Sequence, residues 1–270
     1  MTPGRCRTID RVYCSPHVDP AHERRRYPAP GIAAALKVLR ELGEVVVVAP
    51  ETVQSATGHG ITLTSPLMTQ KVQVDEQTVG IAVEGRPADC VKLAINQLLP
   101  RRPDLVVSGI NSGANVGINV IYSGTVAAAL EAGFLGLPAV ALSLLMDKDL
   151  PDYELAAQLS LETIRSLLKA GLGGGDVISV NLPNLRGNQR PAGTRVVRQC
   201  TAGWNDEYDR RTDPRGRTYY WNSAVFKLDP RESDTDVAAL RDKCITVTPL
   251  QYDLTRHEQM AKLKLGFGEK

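Results

Sequence analysis

The sequence lacks most of the features that decide a protein class at a glance. No apolar run approaches the roughly 18 residues of a membrane span, so no membrane partner is expected. The first residues hold no apolar stretch of the signal-peptide kind, and the expected location is cytoplasmic. Five cysteines, at 6, 14, 90, 200 and 244, form an odd, scattered set without C-x-x-C spacing. That pattern argues against a disulfide framework and against a thiolate zinc site. No charge of one sign dominates: 32 Lys and Arg stand against 30 Asp and Glu. Residues 1–28 hold six of the bases and three of the acids, leaving 26 against 27 in the rest. The basic excess is thus local, and no nucleic-acid partner is expected. There is no G-x-x-x-x-G-K-[ST], which excludes a P-loop NTPase, and no G-x-S-x-G elbow of a serine hydrolase. Glycines 109, 113 and 117 are wrongly spaced for a dinucleotide fingerprint.

What is present suits one α/β domain of some size. At 270 residues and 43% apolar content the chain can bury a substantial core. Its organising stretch is 104–133. Residues 105–107 read as a buried parallel strand; glycines 109, 113 and 117 then break the chain into a polar loop. A small-residue helix follows over 125–133, with Ser123 as its expected N-cap. Asn111, Asn115 and Asn119 offer neutral oxygens, although glycine and asparagine also serve simply to make turns. Ser123 and Thr125 place hydroxyls beside the unbonded N–H groups of a helix start, a combination suited to phosphate.

Around this stretch the text alternates. A helix is expected from Pro30, with Ile32, Ala35, Leu36 and Leu39 at helical spacing and Gly43 as its stop. Strands are expected at 45–49, 139–144 and 177–182, and helices at 87–98 and 153–172. Residues 61–67 and 73–83 read as strands of a side extension. The alternation predicts a Rossmann-like, doubly wound, mostly parallel sheet. After about residue 190 the character changes: strands at 194–198 and 244–249 flank an aromatic, charged hairpin at 204–221, and a helix closes the chain at 254–265. This reads as a core over 29–190 with a C-terminal hairpin and helix extension over 191–270 used for oligomer contacts. Residues 1–28 show neither a strand-like run nor a helical period, and are expected to pack poorly.

Ser55 and Asn111 each follow a predicted core strand and so fall on one rim of the sheet. A hydroxyl and an amide oxygen ligate a hard cation weakly, and Mg²⁺ or Mn²⁺ needs one or two carboxylates in addition. Glu51 reads as a solvated loop charge and His59 as a hydrogen-bonding loop residue. Cys14, His17, Asp19 and His22 match no known metal spacing.

Several segments resemble the SurE family of survival proteins: Ala29-Pro-Gly-Ile, Val48-Ala-Pro-Glu-Thr-Val-Gln-Ser-Ala-Thr-Gly-His-Gly-Ile-Thr, Gly85-Arg-Pro-Ala-Asp-Cys-Val-Lys-Leu-Ala, Ser108-Gly-Ile-Asn-Ser-Gly-Ala-Asn-Val-Gly and Tyr122-Ser-Gly-Thr-Val-Ala-Ala-Ala. Trp204-Asn-Asp, Asp213-Pro-Arg-Gly-Arg-Thr-Tyr-Tyr-Trp and Ile245-Thr-Val-Thr-Pro-Leu resemble the same family's C-terminal part. The resemblance spans 29–270, taken as one domain. It implies a metal-dependent phosphatase acting on nucleoside 5′-monophosphates, or on 3′-monophosphates or polyphosphate, assembled as a homodimer or homotetramer. It implies one divalent cation per subunit, held by an Asp-Asp pair with Ser55 and Asn111. Ser123, Gly124 and Thr125 map to the phosphate-binding segment. A metal-bound water is the implied nucleophile, so no side chain is assigned as catalytic.

The N-terminus departs from that pattern. The family opens with an apolar strand and Thr-Asn-Asp-Asp-Gly-Ile; at the family spacing from Ala29, the Asp pair falls on Arg24 and Arg25. Two guanidinium groups repel a cation. A codon choice that encodes residues 19–27 as printed is GAT-CCT-GCT-CAC-GAA-CGA-CGA-CGG-TAT. Read from its second base, with the first base of the Pro28 codon, it gives Ile-Leu-Leu-Thr-Asn-Asp-Asp-Gly-Ile. One base restored near Pro28 rejoins Ala29-Pro-Gly at the family's spacing. Two readings stand: a one-base deletion that scrambles the residues before Ala29, or a divergent N-terminus that has lost the metal ligands. The first makes the frame-restored protein a nucleotidase and the printed chain an impaired one. The second makes the chain a nucleotide- or phosphate-binding pseudoenzyme.

Overall fold

The computed structural model describes residues 30–147, 150–201, 207–223 and 232–268, together with the backbone of 11–15. Its strands are β1 (Arg11–Ser15), β2 (Glu44–Pro50), β3 (Thr69–Gln73), β4 (Val79–Val83), β5 (Leu105–Ser112), β6 (Ala139–Leu144), β7 (Val177–Leu182), β8 (Thr194–Val196), β9 (Tyr208–Thr212), β10 (Thr218–Asn222) and β11 (Ile245–Leu250). The helices are α1 (Pro30–Leu39), α2 (Pro87–Leu93), α3 (Asn119–Tyr122), α4 (Gly124–Phe134), α5 (Tyr153–Lys169), α6 (Asp236–Arg241) and α7 (His257–Gly266). Nine strands form one sheet in the order β3-β4-β2-β1-β5-β6-β7-β11-β8. From β4 to β7 the pairing is parallel throughout, whereas β3 and β11 run antiparallel to β4 and β7. The doubly wound, mostly parallel architecture is thus present.

Alternation along the strands divides the core. In β5, Leu105 and Val107 join Val140, Leu142, Val180 and Leu182 under α1 and α5. Val106 turns the other way, with Ala139, Ala141 and Val177, under α2 and α4. The expected α1 positions Ile32, Ala35, Leu36 and Leu39 are all buried. Each such large apolar side chain contributes about 1.5–3 kcal/mol by leaving water. On the second face α4 is built of Ala127, Ala128, Ala129 and Ala132, which lets its backbone lie close to the sheet.

Two expectations are corrected. First, residues 1–28 do contribute a strand: β1 sits centrally, with Val12 paired to Val45 on one side and to Leu105 on the other. A parallel sheet with a gap between β2 and β5 would leave two rows of peptide groups unbonded. Val12-Tyr13-Cys14, with two good strand formers, is a short run that meets the need but is too brief to stand out in the text. The remainder of residues 1–28 lies outside the described residues. Second, 61–67 is not a strand, and β3 and β4 are not a side extension. They are a hairpin whose second strand joins the main sheet through β2. The helix expected over 87–98 has that extent, α-helical to Leu93 and more widely wound over Ala94–Leu98.

Candidate active site

Because β1, β2, β5, β6 and β7 are parallel, their carboxyl ends share one rim, where open α/β sheets bind ligands. The loop after β2 carries Ser55 in an exposed turn, next to Ala56 in a left-handed conformation (φ 54°). The Gly58 N–H donates to the Tyr122 carbonyl at 2.9 Å. A Cβ placed on Gly124 would stand 3.4 Å from both the Gln54 carbonyl oxygen and the Thr57 Oγ1. The segment around Ser55 is therefore seated on the first turn of α4. Ser123 caps that helix as expected, its Oγ accepting from the Val126 N–H at 3.1 Å. Ser123 and Gly124 are buried and Thr125 is half-buried. The early N–H groups of α4 lack partners within the helix, and the helix dipole adds partial positive charge there.

Asn111 reaches the same rim through an irregularity in β5. The register of β5 against β6 shifts between Ser108 and Asn111. Gly109 at the shift takes φ +125°, and a Cβ there would lie 2.2 Å from the Leu142 carbonyl oxygen. Beyond it, the Asn111 Nδ2 donates to the Gly113 carbonyl at 2.7 Å. The other two asparagines differ. Asn115 is buried in a fixed network: its N–H meets Asn181 Oδ1 and its Nδ2 meets Ser143 Oγ, both at 2.7 Å. It braces the glycine loop to β6 and β7. Asn119 opens α3 and is half-buried.

His59 fastens the Ser55 loop to α4. Its Nε2 lies 2.9 Å from Glu131 Oε2, and the Lys92 Nζ lies 2.9 Å from Glu131 Oε1. Its ring stacks on Phe134 at 5.1 Å. The loop's far end is held by buried Asp89, which accepts from Thr62 N–H at 2.9 Å and Thr62 Oγ1 at 2.7 Å. Glu51, read as a solvated charge, accepts from Gln70 on β3 at 2.7 Å. The Glu131 side chain is only 5% exposed. Burial pushes its pKa up, but hydrogen bonds from His59 and Lys92 outweigh this and hold it below the usual value. A carboxylate whose folded pKa is lowered contributes stability above its unfolded pKa, near 4.3, and loses it as pH falls through the folded value. We expect Glu131→Ala to cost about 2–3 kcal/mol in urea unfolding at pH 7, since it leaves two donors without their acceptor. That cost shrinks as pH drops below about 4.3. A variant as stable as the parent at pH 7 would refute the assignment.

Neither buried Glu131 nor a second buried carboxylate, Asp236, stands out in the sequence. Asp236 is 1% exposed and accepts from three backbone N–H groups at 2.8 Å: Gly117, Cys200 and Val237. Burial pushes its pKa up, and these bonds offset only part of that. Its signal is Thr235, an N-cap residue before the apolar run of α6; Thr235 Oγ1 does accept from the Ala238 N–H. The candidate cluster Cys14, His17, Asp19 and His22 lies outside the described residues apart from the Cys14 backbone.

A nine-stranded, largely parallel sheet with a polar glycine loop and a capped helix start on its carboxyl rim defines an open α/β protein of the Rossmann-like class. Within that class the chain belongs to the survival protein SurE family, whose model matches residues 26–206. It is 44% identical over 231 residues to the 5′-nucleotidase SurE of Christiangramia forsetii, covering 85% of this chain and 88% of that protein. It is 45% identical over 238 residues to the 5′-nucleotidase SurE of Syntrophobacter fumaroxidans, covering 87% and 93%. The crystal structure of the SurE protein from Aquifex aeolicus superimposes with a TM-score of 0.78 at 34% identity, covering 94% of this chain and 98% of that one.

Proposed function

We propose that this fold is a phosphohydrolase releasing phosphate from nucleoside 5′-monophosphates, with 3′-monophosphates or polyphosphate as further substrates. The observation that carries the reading is the seating of the Ser55 loop on the start of α4, with the Gly58–Tyr122 bond at 2.9 Å and Gly124 against Gln54 and Thr57. Ser123, Gly124 and Thr125 then hold the phosphate at a helix start where N–H groups and the dipole favour an anion. The nucleotidase names of the relatives support the substrate class. The exposed strands β9 and β10 and the helix α7, which buries none of its residues, suit a homodimer or homotetramer built through the extension over 191–270. Residues 29–270 are read as the functional domain. The proposed location is the cytoplasm; among the described residues no helix is long and apolar enough to cross a membrane, which by itself does not decide it.

The metal is where this chain departs. Ser55 and Asn111 are the residues that would hold one Mg²⁺ or Mn²⁺ per subunit. Asn111 spends its amide nitrogen on Gly113, leaving Oδ1 as the atom to meet a cation. Both donors are neutral. Among the described residues no group of three His, Cys, Asp or Glu side chains is placed to hold a metal ion. The described residues therefore do not fit a divalent cation by themselves, and turnover by the printed chain is impaired.

The test is phosphate release from several nucleoside monophosphates with Mn²⁺, with and without chelator. Release that chelator abolishes supports the enzyme, and Asn111→Ala then lowers it by about 10²-fold or more, the scale set by metal-site partners. Unchanged release in that variant removes Asn111 from the site. Tight nucleotide binding without release supports the second reading, a binding pseudoenzyme that the neutral donor set favours.

A further inference from the structure

We propose that Asp236 is a positioning residue for the phosphate-binding segment, fixing Ser123–Thr125 from outside the core through Gly117. The inference rests on the assignment of that segment to phosphate. Gly117 is gripped at both ends of its backbone by the C-terminal part of the chain. Its N–H donates to Asp236 Oδ2 at 2.8 Å, and its carbonyl accepts from Gln199 Nε2 at 2.8 Å. Its φ of +60° is left-handed, and the place of a Cβ lies 3.4 Å from the Val237 side chain and 3.5 Å from the Cys200 carbonyl oxygen. Apolar contact among Val116, Cys200, Val237 and Leu240 closes round it.

The path from Gly117 to Ser123 is short and has little slack. The Gly117 carbonyl also accepts from the Val120 N–H at 3.3 Å, starting the turn that leads into α3. One further bond, Ile121 N–H to Ile118 at 3.1 Å, tightens that turn. Tyr122, the last residue of α3, holds the Ser55 loop through Gly58, and Ser123 next caps α4. Displacing Gly117 therefore moves both the start of α4 and the loop seated on it. The same carboxylate fixes Cys200 and Val237, which lie on either side of the segment carrying β9 and β10. Asp236 thus ties the roots of that exposed hairpin to the rim.

The experiment compares the full chain with Asp236→Asn and with Gln199→Ala. The second variant removes only the bond to the Gly117 carbonyl from a half-buried side chain, so it keeps the test alive if the first does not fold. Amide hydrogen exchange is followed at Gly117, at 123–127 and in β6, and inorganic phosphate affinity is measured by calorimetry. We expect exchange at Gly117 and 123–127 to quicken at least tenfold in Asp236→Asn and about threefold in Gln199→Ala, with β6 unchanged. Phosphate affinity falls by similar factors. Faster exchange confined to 199–201 and 236–241, with 123–127 unaffected, would make Asp236 a local brace and overturn the proposal. Absence of phosphate binding by the parent chain would count against the phosphate assignment alone, because the exchange readout decides the coupling without ligand.

Discussion

Restoring one base near the Pro28 codon is expected to raise Mn²⁺-dependent phosphate release from nucleoside monophosphates by about 10³-fold or more over the chain as printed. The scale is that of removing or supplying one pre-placed electrostatic group at a reacting phosphate or carbonyl. The restored reading replaces residues 19–27 by Ile-Leu-Leu-Thr-Asn-Asp-Asp-Gly-Ile, so two carboxylates stand where Arg24 and Arg25 stand now. The paired measurement is metal affinity by calorimetry, which needs no turnover. Mn²⁺ binds the restored chain at least about 10²-fold more tightly, because two charged oxygens join two neutral ones. Genomic sequence that encodes residues 1–28 as printed, together with equal rates from both chains, would establish a divergent N-terminus and leave the binding-protein reading. Substituting Arg24→Asp and Arg25→Asp alone is the weaker version, since it does not restore the apolar Ile-Leu-Leu run that precedes the pair in the other frame.

The sequence carried the core well because parallel strands buried on both faces are written as plain apolar runs. β6 and β7 match their expected ranges to the residue, and β2 differs by one residue at each end. The N-cap at Ser123 was legible for a similar reason: a hydroxyl before a small-residue run has one common use. What failed to show depended on partners far away in the chain. β1 is called into the sheet by the unbonded edges of β2 and β5, a demand that Val12-Tyr13-Cys14 does not advertise. β3 and β4 alternate like any hairpin, and nothing local says that β4 joins β2. Asn115 and Asn111 look alike in the text, yet one is locked to Asn181 and Ser143 while the other bonds only its own turn among the contacts described. Asp236 acts on a glycine 119 residues earlier, which no local pattern reveals.

Gly109→Ala abolishes soluble, folded protein or lowers its unfolding free energy by about 4 kcal/mol, a large part of the roughly 5–15 kcal/mol available to a domain. Two separate costs meet there. The backbone takes φ +125°, a region that side chains rarely adopt, which costs about 1–3 kcal/mol. The added Cβ would also lie 2.2 Å from the Leu142 carbonyl oxygen and 3.0 Å from its Cβ, in the middle of the sheet, where overpacking costs about 1–3 kcal/mol more. Neither neighbour is a flexible tip that can swing away: the oxygen belongs to β6, which is hydrogen-bonded on both sides. Gly136→Ala separates the two terms. Its φ is +74° with nothing within 4 Å, so it carries only the backbone cost, about 1 kcal/mol. Urea unfolding of both variants measures the difference, and near-equal values would show that β5 and β6 yield at the contact. The functional reach of Gly109 follows from its place. The register shift it permits, between Ser108 and Asn111, sets Asn111 opposite Ser143 rather than in continuous register. Under the proposed assignment of Asn111, loss of that shift moves its amide off this place, so in the frame-restored chain a folded remnant of Gly109→Ala is expected to lose more of its phosphate release than of its stability.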